Sequence, residues 1–277
     1  MAHTVSSLLA EVPDLADHEV RRLIQLATGL DRRAALGDPQ VPDELLVRFL
    51  DLVERRRSGE PLQYIEGTVQ FGPIELKTDR RALIPRPETE RLWEISSVLI
   101  DKVDAPLIVD LCTGSGNLAL AHKHRRPNAT VVGVDLSGDA IALANDNAAS
   151  LGLEVTFARG DLFAALPDEL SGKVDLLVSN PPYIASAEAA ELPTEIRNYE
   201  PETALLAGPE GTEVLARIAA DARVWLRPGG WMVCEIGETQ GAECLRLFAG
   251  LSPRIENDFA GRPRFVVGRA PQLPNVH

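Results

Sequence analysis

Leu107-Ile-Val-Asp-Leu-Cys-Thr-Gly-Ser-Gly116 and, a little further on, Thr130-Val-Val-Gly-Val-Asp135 carry the clearest structural signal in the chain. Each opens on a short run rich in Val, Ile and Leu, the composition of a strand covered on both faces. Between them Asn117–Arg125 predicts a helix, and Gly114 and Gly116 supply the tight turn that joins strand to helix. A strand, a crossover helix and a second strand belong to a parallel sheet with right-handed connections.

The alternation continues on the C-terminal side. A helix is predicted over 138–150, strands over 154–158 and 174–179, and a helix over 211–226. Arg227-Pro228-Gly229-Gly230 predicts a turn, 231–236 a strand and 239–249 a helix. The last two apolar runs, 254–259 and 264–269, flank Gly261-Arg262-Pro263; so few residues leave room only for an antiparallel return. The whole reads as α/β, a mostly parallel sheet with helices on both faces.

On the N-terminal side the pattern changes. Pro85-Arg86-Pro87-Glu88-Thr89-Glu90 leads into a helix expected over Arg91–Val103, with both prolines stiffening the approach. Residues 67–85 predict a hairpin linker, two short β runs around Gly72-Pro73. Residues 1–66 predict a small helical domain. Leu8, Leu9, Leu15, Val20, Leu23, Ile24, Leu26 and Ala27 recur at helical spacing up to Gly29, and Pro42–Arg57 fits a second helix. Its acidic start and basic end suit the helix dipole, and Arg55-Arg56-Arg57 reads as a solvated helix end. The expected organisation is therefore 1–66 helical, 67–85 linker and 86–277 α/β domain.

The chain has 277 residues, 45% of them apolar, and a net charge of −13. That charge argues against a protein whose main task is gripping a polyanion, since phosphate contacts need clustered Lys and Arg. No run approaches the ~20 apolar residues of a membrane span, and the first twenty residues do not read as a signal peptide. Cys112, Cys234 and Cys244 are scattered, without the paired spacing of a disulfide framework or zinc site. No metal is expected, and a cytoplasmic setting is. His122 and His124, two apart on a helix, diverge and read as surface residues. Trp93, Trp225 and Trp231 read as packing residues.

The candidate site gathers where strands end. The turn after Leu111 carries Gly114 and Gly116, and nineteen residues beyond Gly116 the next strand ends in Asp135, an acid able to accept from ribose hydroxyls. Gly114-x-Gly116-x-x-Ala119 also satisfies a dinucleotide fingerprint, so a nicotinamide oxidoreductase stays open on this signal. Asp110 beside the turn favours a cationic ligand group over a pyrophosphate. Asp161 after the third strand serves as a helix N-cap or as an acceptor for an adenine amine, with an apolar neighbour to cover the ring.

Asn180-Pro181-Pro182-Tyr183 ends the fourth strand. An amide or aromatic amine is a poor nucleophile because its lone pair is delocalised. Acceptors for both N–H groups orient the nitrogen and raise its electron density. Asn180 offers a side-chain carbonyl, Pro181 a backbone carbonyl held rigid by neighbouring prolines, and Tyr183 a flat face.

With these strings in place, the chain from about 60 to 270 resembles the release-factor glutamine methyltransferases, the PrmC/HemK family. The matching strings are Glu60–Ile65, Leu83–Glu90, Asp110–Gly116, Val178–Ile184, and Tyr199-Glu200-Pro201 before Ala204-Leu205. The resemblance implies a seven-stranded Rossmann-like class I methyltransferase sheet with a small N-terminal helical domain that helps bind the substrate. It implies S-adenosyl-L-methionine as cofactor and N5-methylation of the glutamine in the Gly-Gly-Gln motif of peptide chain release factors. It places Asn180, Pro181, Pro182 and Tyr183 at the acceptor amide. Asp110, Cys112, Thr113, Gly114, Ser115, Gly116, Asp135, Asp161, Leu162 and Asn180 fall to the cofactor. Cys112 stands where the family usually has glycine, and Leu162 where an aromatic is common. The alternatives are a glutamine methyltransferase acting on a ribosomal protein and an adenine-N6 methyltransferase acting on nucleic acid; the charge counts against the latter.

Overall fold

The structure is a computed structural model and describes residues 3–31, 33–34 and 37–272. The outer ends of the expected domain ranges, 1–2 and 273–277, lie outside these residues. The chain divides into two compact units, one of 1–68 with 193–199 and one of 69–192 with 200–277.

The first unit is helical. It contains α1 (Val5–Glu11), α2 (Asp17–Thr28), α3 (Asp43–Arg57), α4 (Leu62–Glu66) and a short helix over Thr194–Tyr199. Thr4 and Ser7 form a reciprocal capping box at the start of α1, and α2 stops at Gly29, whose φ of 73° is open to glycine at no steric cost. Leu8, Val20, Leu23, Ile24, Phe49 and Val53 close the core between α1, α2 and α3. Of the arginines ending α3, Arg57 is exposed, as the reading of a solvated end expects, whereas Arg55 and Arg56 are partly buried, and all three are paired. Arg55 pairs with Glu60 at 2.8 Å, Arg56 with Glu19 at 2.8 Å and Glu195 at 3.1 Å, and Arg57 with Asp14 at 2.7 Å. A segment this acidic supplies each guanidinium with a carboxylate within reach.

The second unit opens with the two-stranded β1 (Thr68–Phe71) and β2 (Ile74–Lys77), followed by α5 (Pro87–Leu99). Helix α5 starts four residues before the expected Arg91. Pro87 sits at its first position, where a missing N–H costs nothing. The main sheet follows as β3 (Leu107–Leu111), α6 (Asn117–Arg125), β4 (Thr130–Asp135), α7 (Gly138–Leu151), β5 (Thr156–Arg159), β6 (Val174–Ser179), α8 (Glu213–Trp225), β7 (Leu226–Glu235), α9 (Gly241–Leu247), β8 (Arg254–Asn257) and β9 (Pro263–Arg269). Seven strands pair in the order β8-β9-β7-β6-β3-β4-β5, with β9 antiparallel to both of its neighbours and the rest parallel.

Alternate residues of each strand feed two separate cores. Val109, Leu111 and Val134 pack with α8 and α9, while Ile108, Val131 and Leu176 pack with α5 and α6. Burying each of these side chains is worth ~1.5–3 kcal/mol, which makes the central strands the rigid part of the unit. Arg227–Gly230, expected as a turn, lies within β7 as a bulge. Leu226 pairs with Val174 and Trp231 with Leu176, so the intervening residues loop out. A Cβ on Gly230 would lie 2.7 Å from the Val174 carbonyl, so only glycine fits there.

His122 departs from its reading as a surface residue. It is fully buried against α5 and bonds Ser96 at 3.0 Å, and burial depresses its pKa to about 3. The i, i+2 spacing does part the two rings; His124 is the exposed one. Trp225 packs on one core, Trp93 and Trp231 on the other.

Candidate active site

The chain runs outward through β3, β4 and β5, then returns to place β6 on the other side of β3. Ligands of open α/β sheets bind at such a switch, outside the carboxyl ends of the strands. Leu111 lies opposite Ser179 and Ser179 opposite Cys234, so β3, β6 and β7 end level. The segments starting at Cys112 and Asn180, and the residue Glu235, therefore leave the sheet side by side.

The turn after β3 is shaped by its backbone. Cys112, Gly114 and Gly116 have φ of 58°, 55° and 83°. A Cβ on Gly116 would stand 3.0 Å from the Phe157 ring, whereas one on Gly114 meets nothing within 4 Å. Gly116 lets α6 pack against β5, and Gly114 leaves open space. Asp110 ties the turn to the helix, its Oδ2 accepting from Thr113 Oγ1 at 2.5 Å and from the Ala119 N–H at 3.2 Å. It is fully buried and absent from the cavity wall, which corrects the expectation that it faces a ligand cation. Burial drives its pKa up to about 7, and its Oδ1 has no hydrogen-bond partner among the described residues.

Asp135 accepts from the Gly114 N–H at 2.8 Å through one oxygen and from the Ser137 N–H at 2.9 Å through the other. A carboxylate has about four acceptor positions, so this leaves room for hydroxyls of a ligand. Burial raises its pKa. A cavity of about 480 Å³ opens here, within the range of small-molecule sites. Of the expected residues its wall carries Cys112, Thr113, Gly114, Ser115, Asp135, Asp161, Leu162, Asn180 and Pro182; Asp110, Gly116, Pro181 and Tyr183 are not on it. Asp161 occupies the cap position of the 3₁₀ turn Leu162–Ala165 without a capping hydrogen bond. Its carboxylate instead pairs with Arg217 at 2.7 Å, half-exposed on both sides. Leu162 is buried and holds φ at 50°, and Cys112 too is a non-glycine in the left-handed region; each such residue costs roughly 1–2 kcal/mol.

At the end of β6 the Asn180 Nδ2 donates to Thr89 Oγ1 at 3.0 Å, which in turn donates to Glu235 Oε2 at 2.8 Å. Asn180 itself lies on the cavity wall. Tyr183 takes a different place from the expected flat cover. Its hydroxyl donates to Glu235 Oε1 at 3.3 Å and accepts from Arg264 at 2.7 Å, and the Arg264 guanidinium lies 5.0 Å from the ring centroid. Its backbone carbonyl accepts from Gln240 at 2.9 Å. Burial pushes the Tyr183 hydroxyl up and raises Glu235, with Arg264 opposing the latter shift.

Thr89, Glu235 and Arg264 escaped the sequence reading. Glu235 was within reach of it, being an acid at the end of an apolar strand on the same sheet edge as Asp135. Leu136, exposed and on the cavity wall beside Asp135, is a further apolar neighbour left unread. Among the described residues no group of three or more His, Cys, Asp and Glu is placed to hold a metal, and no helix is long and apolar enough to cross a membrane.

Residues 90–196 match the methyltransferase small domain and residues 2–67 the PrmC N-terminal domain. The chain is 40% identical over 257 residues to a release factor glutamine methyltransferase of Deinococcus radiodurans, covering 91% of this chain and 90% of the relative. Among solved structures it is similar to the hMettl16 catalytic domain in complex with MAT2A 3′UTR hairpin 6, with a TM-score of 0.56, 16% identity and 87% of each chain covered. It is also similar to a T. thermophilus 16S rRNA N2 G1207 methyltransferase solved with AdoMet and guanosine, with a TM-score of 0.52, 16% identity, and 73% of this chain and 49% of that one covered. At such identity the two structures speak for the fold.

Proposed function

Since the chain belongs to the family of release factor glutamine methyltransferases, we propose that it methylates N5 of the glutamine in the Gly-Gly-Gln motif of peptide chain release factors. S-adenosyl-L-methionine is the proposed methyl donor, and the proposed setting is translation termination in the cytoplasm. The observation that carries the reading is the side chain of Asn180. Its NH₂ donates to Thr89, which leaves its acceptor Oδ1 for a ligand, and the residue lines the same cavity as Asp135 and Gly114.

The cavity suits the donor. Open space beside Gly114 admits close approach to backbone, Asp135 has acceptor capacity for a ribose diol, and Leu136 and Leu162 offer apolar cover for a ring. Asp161 reaches an adenine amine if Arg217 shares or releases it. The cofactor supplies an electrophilic methyl group. What remains for the protein is orientation. Asn180 Oδ1 and the Pro181 carbonyl accept the two amide hydrogens of the glutamine, holding the nitrogen in plane and aimed along the transfer axis. Alignment within about 3 Å is itself a large part of such a barrier. No general base is required, because the proton leaves once the nitrogen has become acidic. We assign the helical unit, 1–66 in the sequence reading, to gripping the release factor.

Purified protein incubated with release factor and methyl-labelled S-adenosylmethionine is expected to place label on the Gly-Gly-Gln glutamine, located by peptide mapping. Label on ribosomal protein or nucleic acid instead, with the release factor unlabelled, overturns the substrate assignment.

A further inference from the structure

We infer that Thr89 and Glu235 are positioning residues that set which end of the Asn180 amide faces the cavity. The inference deepens the methyl-transfer reading and rests on it, yet its geometry stands alone.

Register brings the three together. Cys234 pairs with Ser179, so Glu235 and Asn180 are the next residues along neighbouring parallel strands. Pro87 starts α5 early enough to put Thr89 in its first turn, over the same strand ends. Thr89 and Glu235 are both fully buried.

Direction then follows from donors and acceptors. A carboxylate only accepts, and a threonine hydroxyl has a single proton to give. That proton goes to Glu235 Oε2 at 2.8 Å, leaving the Thr89 oxygen to receive from Asn180 Nδ2 at 3.0 Å. The reverse amide orientation would turn Oδ1 to Thr89 and claim the same proton. Glu235 Oε2 would then be a buried, charged oxygen without a hydrogen, the arrangement buried sites avoid. A second arm closes on the same carboxylate from the other side. Arg264 only donates, its N–H goes to the Tyr183 hydroxyl at 2.7 Å, and that hydroxyl donates to Glu235 Oε1. Both ends of Asn180–Tyr183 are thus oriented by one acceptor that belongs to another strand. With its polarity reversed, Asn180 would meet the substrate NH₂ with an NH₂ of its own.

The test compares Thr89→Val, Thr89→Ser and Glu235→Gln with the parent protein. Thr89→Val keeps the shape and removes the hydroxyl; Thr89→Ser keeps the hydroxyl. Glu235→Gln introduces an amide that donates to Thr89 and frees the reversed orientation. Thr89→Val and Glu235→Gln are expected to lower kcat by about 100-fold, the scale of a misaligned reacting group. The calorimetric Kd for S-adenosylmethionine should stay within about two-fold, and Thr89→Ser should recover most of kcat. Kcat retained in Thr89→Val, or lost equally in Thr89→Ser, overturns the inference. If Thr89→Val does not fold, Glu235→Gln decides on the same terms.

A substrate-free readout separates this from the function proposed above. In protein labelled with ¹⁵N-asparagine, the Asn180 side-chain NH₂ should exchange slowly in the parent and Thr89→Ser, and quickly in Thr89→Val. Slow exchange in Thr89→Val overturns the inference even if the parent is active. Lost protection with a parent inactive on release factor overturns the substrate reading and leaves the inference standing.

Discussion

The turn from Cys112 to Gly116 takes its shape from its own backbone, whereas the Asn180 corner takes its shape from side chains on three other segments. In the turn, three left-handed residues within five positions fix the path, and Asp110 and Asp135 fasten it through the backbone amides of Ala119 and Gly114. At the corner, the residue that faces the cavity is oriented by Thr89, 91 positions earlier, and through it by Glu235. A surface made of backbone tolerates changes in most of its side chains. A surface made by a hydrogen-bond chain fails when any link is reversed. The two regions should therefore separate cleanly in mutagenesis, the corner governing turnover and the turn governing affinity for the methyl donor.

Asn180→Ala is the sharpest way to break that division. It removes the proposed acceptor for the substrate amide and leaves Thr89 with an unclaimed lone pair. The expected loss in kcat is about 10³-fold, the scale seen on removing one preorganised hydrogen-bonding group from a transition state. Kd for S-adenosylmethionine, by calorimetry, should move by less than about three-fold. A comparable weakening of cofactor binding would mean that corner and cavity are one functional surface.

The converse change is Asp135→Ala. It removes the proposed ribose acceptor and the anchor of the Gly114 and Ser137 amides together. Hydrogen bonds to a charged group are worth about 1.5–3 kcal/mol, so Kd should weaken by roughly 10- to 100-fold. Single-turnover kcat at saturating donor should fall by only a few-fold. If saturation does not restore turnover, Asp135 also aims the methyl group, and the division is too simple.

The same contrast explains what was legible in the sequence. The strands of 107–111 and 130–135 announce themselves through apolar runs, and the turn between β3 and α6 is contiguous, so its glycines could be read in place, and with them Asp135 at the end of the next strand. Asn180 was readable for the same reason. Its partners were not, because the pairing of Ser179 with Cys234 is a matter of tertiary register that one strand's sequence does not encode. Asp110 was read as facing a ligand because a charge beside a glycine turn suggests one. Alternation along β3 and the pull of the α6 amide instead direct it inward. His122 was assigned to the surface as a polar residue. Its helix packs against both α5 and the sheet, and a neutral imidazole with one serine partner is accommodated there.

The smallest expected effect concerns the backbone itself. Cys112 holds φ at 58°, a conformation that glycine adopts freely and other residues pay for at roughly 1–2 kcal/mol. Cys112→Gly removes the strain together with the partly buried thiol that packs against the core, and it adds unfolded-chain entropy of about 0.5–1 kcal/mol. These terms oppose one another, so a comparison with the parent alone says little. Cys112→Ala loses the thiol as well but keeps a Cβ at positive φ. Urea unfolding should therefore find the glycine variant more stable than the alanine variant by about 1 kcal/mol, with little change in m. Both should bind S-adenosylmethionine with Kd near that of the parent, since the proposed contact of the turn with the methyl donor is through its main chain. Alanine equal to or better than glycine would mean that position 112 does not hold the left-handed conformation in solution, and that the turn needs its cysteine side chain after all.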